Sequence, residues 1–182
     1  MKKILLLIYF IPFIFNIPVG LAYNDTPSMK VGWYLLFVPQ NLKIGDTVLA
    51  CIPVNKYSAE GIKRKYIERV KAGKCIDDTK YLVKKIASIP YDEVDLTPNG
   101  IIVNGKLTDY RVVSYVYVKA GKNENKKKIP AIRLLVKHYP FGKYDIYGYF
   151  LISTRKKLSY DSRYFGPVKN IAYKAVFLGK YI

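Results

Sequence analysis

The sequence contains few of the residues on which most hydrolytic and metal-dependent sites rely. Among its 182 residues there is one histidine, His138, and there are two cysteines, Cys51 and Cys75. These three supply at most three soft ligands at no recognised spacing, so we predict no metal site. His138 lies in a Val-Lys-His-Tyr-Pro run that does not mark it as a base, which argues against a serine triad built on histidine. We therefore expect any proton transfer to use another side chain.

Acidic residues are also scarce. The chain has 13 acidic and 31 basic side chains, a formal charge of +18, which would suit a nucleic acid, an anionic membrane surface or solubility. The lysines at 122 and 126–128 lie in a Gly/Asn/Lys stretch without an apolar period, which is typical of a solvated loop. The 18 tyrosines occur mostly in alternating runs that suit half-buried strands rather than base stacking. We expect no nucleic-acid partner.

The N-terminus has the layout of an export signal or a single membrane anchor. Met1-Lys2-Lys3 precedes an apolar stretch over 4–23, and this charge distribution leaves the rest of the chain outside the cytoplasm. Gly20-Leu21-Ala22 resembles a cleavage site, so removal stays an alternative, but it would leave Ser28 near a frayed terminus. We predict a retained anchor or signal segment over 1–23 and one domain over 24–182.

An exported domain places Cys51 and Cys75 in an oxidising compartment. An even number of cysteines is there most simply one disulfide. Closing this loop is worth about 3 kcal/mol or more in the chain-entropy model.

The apolar pattern predicts a mainly β (α+β) domain with an antiparallel or mixed sheet. Short apolar runs alternate with turn residues, and only the spacing over 59–72 is helical. One or two short helices are therefore expected after an N-terminal hydrophobic helix, with no internal repeat and no long linker. The predicted strands cover 34–38, 46–52, 81–89, 100–104, 111–119, 132–137, 147–153 and 171–178.

Two serine-containing runs flank a pair of lysines and together indicate a serine peptidase. Thr-Pro-Ser-Met at 26–29 follows the apolar segment, and Ser-Tyr-Asp-Ser-Arg-Tyr-Phe-Gly occupies 159–166. A lysine acts as a base only when burial lowers its pKa by several units. On an extended strand Lys84 and Lys85 point to opposite faces. The pattern favours Lys84 only slightly, and two exposed lysines on an edge strand remain the alternative.

These runs resemble motifs of the S26 signal peptidase family, which uses a Ser/Lys dyad, and within it of the TraF-like conjugative transfer signal peptidases. The resemblance covers nearly the whole chain after the apolar segment, and the run at 159–168 is its most specific part. The four matching boxes are residues 23–34, 43–48, 84–92 and 159–168.

The resemblance implies a role for each matching polar residue around the nucleophile. Ser28 would be the nucleophile and Lys84 the general base. The hydroxyl of Thr26 would join the backbone N–H of Ser28 as an oxyanion donor.

The C-terminal run supplies the supporting residues. Ser159 would hydrogen-bond the lysine amine, and Asp161 with Arg163 would form an ion pair beneath the site; without the resemblance this is a turn with a surface salt bridge. Three departures from the family pattern are Lys30, where proline is usual, Tyr91, where glycine is usual, and Ser153-Thr154-Arg155, which lacks the acidic and amide residues common before the C-terminal box.

The implied function is a serine endopeptidase that cleaves exported precursors, such as signal peptides or propilins, during conjugative pilus maturation. Its partners would be a precursor with small residues before the cleaved bond, and the membrane, reached through the N-terminal segment. No metal or organic cofactor is needed. Localisation would be the bacterial inner membrane, with the catalytic domain in the periplasm. The alternatives are a general secretory signal peptidase and a non-catalytic, anchored basic binding protein.

Overall fold

A computed structural model of the chain describes residues 17–70, 73–97, 100–108, 116–118, 127–129, 142–153 and 159–181. Within these ranges the fold is mainly β with two short helices. None of the helices in these ranges has the length and apolarity needed to cross a membrane.

The strands and helices follow one another with short connections over most of the chain. The elements are β1 (Pro18–Asn24), β2 (Gly32–Phe37), β3 (Thr47–Ala50), α1 (Lys56–Lys63), β4 (Leu82–Ser88), β5 (Glu93–Thr97), β6 (Gly100–Val103), β7 (Lys106–Leu107), β8 (Val116–Val118), β9 (Lys127–Ile129), β10 (Gly142–Asp145), β11 (Phe150–Ile152), α2 (Ser162–Phe165) and β12 (Ile171–Gly179).

The largest sheet has six strands in the order β1-β2-β12-β3-β4-β11. Each neighbouring pair in it is antiparallel. Strand β12 comes from the C-terminal part of the chain and lies between β2 and β3. It therefore joins the N-terminal hairpin to β3, and β3 pairs with β4, the strand that contains the two lysines.

A second sheet has the order β10-β5-β6-β7, and β8 pairs with β9 separately. Alternating residues of the first two sheets build the apolar core, because successive side chains of a strand point to opposite faces. One core cluster joins β3, β4, β11 and α2, and includes Val48, Ile86, Leu151 and Phe165. Another joins the two sheets through residues such as Val94, Ile101 and Phe150.

The helix predicted over 59–72 is shorter and begins earlier. Asn55 is its N-cap, with a capping box in which its side chain accepts hydrogen bonds from the backbone N–H groups of Tyr57 and Ser58. The helix ends at Lys63, and Lys65 has a positive φ of 60°, which stops helical propagation. The apolar spacing beyond this point therefore does not continue a helix.

Two other boundaries differ from those predicted. The end of the apolar N-terminal segment, Pro18–Asn24, is strand β1, since it pairs with β2; residues 1–16 lie outside the described ranges. Strand β5 was not predicted, although Glu93 and Asp95 alternate with buried apolar residues, because acidic residues have low β propensity. The strand predicted over 132–137 lies outside the described residues.

The two cysteines form the predicted disulfide. Cys51 follows β3 and bonds to Cys75, with a Cα–Cα distance of 5.5 Å and a sequence separation of 24. The cross-link ties the chain after α1 to the end of β3. It also removes both thiols from the zinc alternative.

Candidate active site

The serine of the first motif lies in the turn that connects β1 and β2. Asn24, buried at the end of β1, donates from Nδ2 to the backbone oxygens of Thr26 (2.8 Å) and Lys30 (3.0 Å). Its Oδ1 accepts from the backbone N–H and the hydroxyl of Thr26. The hydroxyl of Tyr34 also donates to the oxygen of Lys30. These bonds hold the turn so that Ser28 faces the sheet.

Strand β4 buries one lysine of the pair and leaves its neighbour half-exposed. Lys84 is 3% exposed, and it lies opposite Val48 of β3 in the strand register. Its face of β4 is shared with Ile86, which is also buried in the apolar core. Lys85 lies on the opposite face and is only partly covered. The alternative of two exposed lysines is therefore wrong.

The amine of Lys84 lies between two serine hydroxyls. Its Nζ is 3.1 Å from Oγ of Ser28 and 2.9 Å from Oγ of Ser159. Burial lowers the pKa of Lys84 from its usual 10.5 to about 8, because the apolar surroundings disfavour the charged form. Asp161 raises this pKa and Arg163 lowers it, each less than burial does. With this pKa the amine is mostly protonated at pH 7 and becomes neutral as the pH rises through 8, and in the neutral form its lone pair can accept the proton of Ser28.

The ion pair predicted in the C-terminal run is fully buried. Arg163 donates from Nε and Nη2 to the two carboxylate oxygens of Asp161, both at 2.7 Å, and both side chains are 0% exposed. Asp161 is also the N-cap of α2 and accepts from the backbone N–H of Ser153 at 3.0 Å. The surface salt-bridge alternative is wrong. The pair instead fixes α2 against β11, beneath the lysine.

The hydroxyl of Thr26 lies next to the nucleophile. Oγ1 of Thr26 is 3.1 Å from Oγ of Ser28, and it donates to Oδ1 of Asn24 at 2.8 Å. Because a hydroxyl has one proton, Thr26 can accept from Ser28 in this arrangement. Donation to an oxyanion requires this hydroxyl to rotate away from Asn24.

Two residues of the site were not assigned a role from the sequence. Asn24 organises the turn, and Ser153 donates from its hydroxyl to the backbone oxygen of Ser28. The signal for Asn24 is local, since asparagine two residues before threonine is typical of an Asx turn. The contact of Ser153 spans 125 residues, and no local pattern indicates it.

A pocket of about 170 Å³ opens beside the nucleophile. Its walls come from the end of β1, from the start of β4 and from the chain that follows α1. Residues from these three segments line it, including Tyr23, Ser28, Tyr66, Ile67, Leu82 and Lys84. At its edge, Lys80 lies within 3.7 Å of Asp25 and 3.6 Å of Glu68.

The structure shows the surroundings of two departures from the family pattern, Lys30 and Tyr91. The ammonium of Lys30 lies 5.2 Å from the ring centroid of Phe177, in a cation–π contact. Tyr91 has a positive φ of 73°, the conformation that favours glycine. Its exposed ring makes an edge contact with Tyr147 at 6.2 Å.

Among the described residues, no group of three or more His, Cys, Asp or Glu side chains is placed to hold a metal ion. His138 lies outside these ranges. The described part of the chain thus brings together Thr26, Ser28, Lys84, Ser159, Asp161 and Arg163 around one buried amine.

Comparison with known proteins shows the class to which this β fold, with a serine hydroxyl against a buried amine, belongs. The family model described as signal peptidase, peptidase S26, matches residues 2–178, and the chain belongs to this family. It is 27% identical over 161 residues to a plasmid transfer protein TraF of Escherichia coli, covering 88% of this chain and 75% of the relative. It is 29% identical over 150 residues to a conjugal transfer protein TraF of Agrobacterium tumefaciens (strain 15955), covering 82% and 75%.

Proposed function

We propose that this chain is a serine endopeptidase in which Ser28 is the nucleophile and Lys84 the general base. The observation that carries the proposal is the position of the Lys84 amine, 3.1 Å from the Ser28 hydroxyl and 2.9 Å from that of Ser159. An uncharged amine at this distance is within reach for proton transfer. Its low pKa supports the same role.

The chemistry follows from this geometry. Oγ of Ser28 attacks the carbonyl carbon of the scissile bond while Nζ of Lys84 takes its proton. The oxyanion is stabilised by the backbone N–H of Ser28 and, after rotation, by the hydroxyl of Thr26. Lys84 then returns the proton to the leaving amine, which leaves an acyl-enzyme on Ser28. Water or another amine releases the acyl group.

The substrate is proposed from the relatives and from the pocket. Two relatives are named plasmid transfer proteins and another a conjugal transfer protein, so we assign this chain to conjugative transfer, with an exported pilin precursor as substrate. A pocket of about 170 Å³ suits small side chains before the cleaved bond. An extended precursor would add main-chain hydrogen bonds along the strand ends that line it.

We also propose that the domain works at a membrane surface, outside the cytoplasm. Leu21 of β1 and Val176 of β12 both pair with Leu35 of β2 in the sheet register, so all three share one face. Leu21 is 53% exposed and Val176 47%. This apolar face follows directly on the apolar N-terminal segment, which supports a bacterial inner-membrane location.

The decisive experiment uses the full chain in detergent with a conjugative pilin precursor as substrate. Product masses are read for the wild type, for Ser28→Ala and for Ser88→Ala as a matched control. The Ser88 hydroxyl is buried and has no hydrogen-bond partner among the described residues. We expect cleavage by the wild type and by Ser88→Ala, and none by Ser28→Ala.

The same experiment distinguishes the other two functions. Cleavage of general secretory precursors but not of the pilin precursor would indicate a secretory signal peptidase. Equal cleavage by Ser28→Ala would remove the catalytic assignment. Binding to nucleic acid or anionic vesicles that weakens with salt and ignores Ser28→Ala, without any cleavage, would indicate the basic binding protein.

A further inference from the structure

Ser159 is the contact of the Lys84 amine on the side opposite the nucleophile. The amine donates to its hydroxyl at 2.9 Å, and this bond is buried. A single rotatable hydroxyl directs the amine only if its backbone is fixed in place. The next residue along the chain, Tyr160, makes the contacts that can fix it.

Tyr160 is held between the two helices. Its hydroxyl donates to the backbone oxygen of Tyr57 on α1 at 2.7 Å. Its ring stacks on Tyr164 of α2, with centroids 5.5 Å apart and planes inclined by 8°, and it packs against Phe165 at 5.6 Å. The ring therefore contacts α1 and α2 at once.

Gly61 of α1 provides the space for this ring. A Cβ built on Gly61 would lie 2.5 Å from Cε1 of Tyr160, which no side chain tolerates without displacement. Glycine is unfavourable inside a helix by roughly 0.5–1 kcal/mol relative to alanine. The space that Gly61 leaves for the ring of Tyr160 explains why a glycine lies inside this eight-residue helix.

The fourth contact extends to the substrate pocket. Tyr66 lies 5.6 Å from Tyr160, centroid to centroid, and it also lines the pocket beside Ser28. Tyr160 therefore adjoins both Ser159 and one wall of the pocket.

We propose that Tyr160, which packs on Gly61 and between α1 and α2, is a positioning residue that keeps the Ser159 hydroxyl in contact with the Lys84 amine. The proposal deepens the proposed function and rests on it for its catalytic consequence. Without these contacts of Tyr160, Ser159 shifts and the amine loses one of its two hydroxyl contacts. The neutral amine is then less well directed at Ser28, and water gains access to it.

Two ion pairs lie near Tyr160, one on each helix. Glu60 and Arg64 form an ion pair at 2.6 Å on the exposed side of α1, and Asp161 and Arg163 neutralise each other beneath Lys84. Burial raises the pKa of Tyr160, so its phenol keeps its proton and remains a donor across the working pH range. The Tyr160 phenol therefore does not titrate in the pH range in which the Lys84 amine does.

The test compares Tyr160→Leu, Tyr160→Phe and Gly61→Ala in the full chain. Tyr149→Leu is the matched control, because Tyr149 packs against the same apolar cluster without adjoining Ser159. Two quantities are measured: the pH dependence of kcat and KM for precursor cleavage, and the titration of Lys84 by NMR of 13Cε-labelled lysine, with the signal assigned by its absence in Lys84→Met.

We expect Tyr160→Leu and Gly61→Ala to lower kcat at pH 7.5 about 10-fold or more, with KM changed less than about two-fold, as for a misplaced catalytic group. The Lys84 titration should move upward from about 8. Tyr160→Phe, which keeps the ring, should lose only a few-fold. Tyr149→Leu should lower the Tm without moving the titration.

An unchanged Lys84 titration and unchanged kcat in folded Tyr160→Leu would overturn the proposal. If that variant does not fold, Gly61→Ala decides in the same way, since it keeps every other side chain. A shifted titration in a chain that cleaves no precursor would support the positioning role while contradicting the proposed peptidase activity. The two failures are therefore distinguishable.

Discussion

Two basic residues at the site are buried, and they differ in their hydrogen-bond partners. Arg163 is 1% exposed and Lys84 is 3% exposed. Arg163 makes two hydrogen bonds to a carboxylate that is equally buried. Lys84 meets two serine hydroxyls, and among the residues that the structure describes no carboxylate bonds to it directly. The charge of Arg163 is compensated by this carboxylate, whereas burial lowers the pKa of Lys84.

This difference separates Arg163, a cation that stabilises the fold, from Lys84, whose amine takes part in the proposed reaction. Guanidinium groups match carboxylates bidentately and do not lose their proton, whereas a lysine amine changes its pKa readily when buried. Asp161 lies near enough to raise the pKa of Lys84, but its two oxygens are occupied by Arg163. The arginine thus keeps the carboxylate from holding the lysine in its charged form.

The largest expected effect tests the chemical half of this comparison. Lys84→Met removes the amine but keeps the length of an unbranched apolar side chain. We expect precursor cleavage to fall by at least about 10³-fold, while the free energy of unfolding at pH 7 is unchanged or higher, because no charge is buried. Cleavage rates and chemical denaturation measure the two quantities. Lys85→Met, on the opposite face, is the control and should keep activity within about two-fold.

The second effect tests the structural half. Arg163→Met leaves the carboxylate of Asp161 buried without its charge partner, which should lower the free energy of unfolding by about 3–5 kcal/mol. Denaturant unfolding of the variant and the wild type at pH 7 gives the difference. A loss below about 1 kcal/mol would mean that the pair behaves like a surface salt bridge.

The third effect is the pH dependence that follows from the low pKa of Lys84. Below pH 8 the amine is protonated in both states, so the cost of burying its charge is fully present. Between about 8 and 10.5 the unfolded chain binds the proton and the folded chain does not. Rising pH therefore stabilises the fold, by up to about 1.4 kcal/mol per pH unit.

This slope is measured as the difference in unfolding free energy between the wild type and Lys84→Met, in which the other titrating groups cancel. The kcat/KM of the wild type should rise through pH 8 and level off above it, because the neutral amine is the base. A flat difference together with a flat profile would show that Lys84 titrates normally.

The smallest expected effect concerns the unfavourable backbone conformation of Tyr91, which lies at the surface rather than in the core. Tyr91 adopts a positive φ of 73° while its side chain is 84% exposed. Tyr91→Gly should be more stable than Tyr91→Ala by about 1 kcal/mol, because both remove the ring and only glycine relieves the backbone. Thermal unfolding compares the two. Equal stability would show that the turn relaxes without cost.

Much of the fold could be predicted from local patterns. Strands β2, β3, β4 and β12 follow alternating apolar runs, and their bounds fall within about two residues of those predicted. The pattern fails where local chemistry competes. Asn55 caps α1 before the predicted start, and the acidic residues of β5 have low β propensity although they fit its alternation.

The site was predictable to the extent that its residues lie in short motifs. The alternation on β4 allowed Lys84 to face inward, although it could not decide between Lys84 and Lys85 without the resemblance. The roles of Ser153 and Tyr160 depend on partners more than 100 residues away. Such contacts are set by the packing of whole elements, so residue patterns do not reveal them.

The position of β12 in the sheet constrains when the site can form. This strand, at residues 171–179, separates the β1–β2 hairpin that holds Ser28 from the β3–β4 pair that holds Lys84. During synthesis the ribosome releases both of those pairs before the strand between them exists. A nascent chain that extends past Lys84 but stops before β12 therefore has both reactive groups but no strand to bring them into contact. The order of strands alone delays assembly of the site until residues 171–179 have been synthesised.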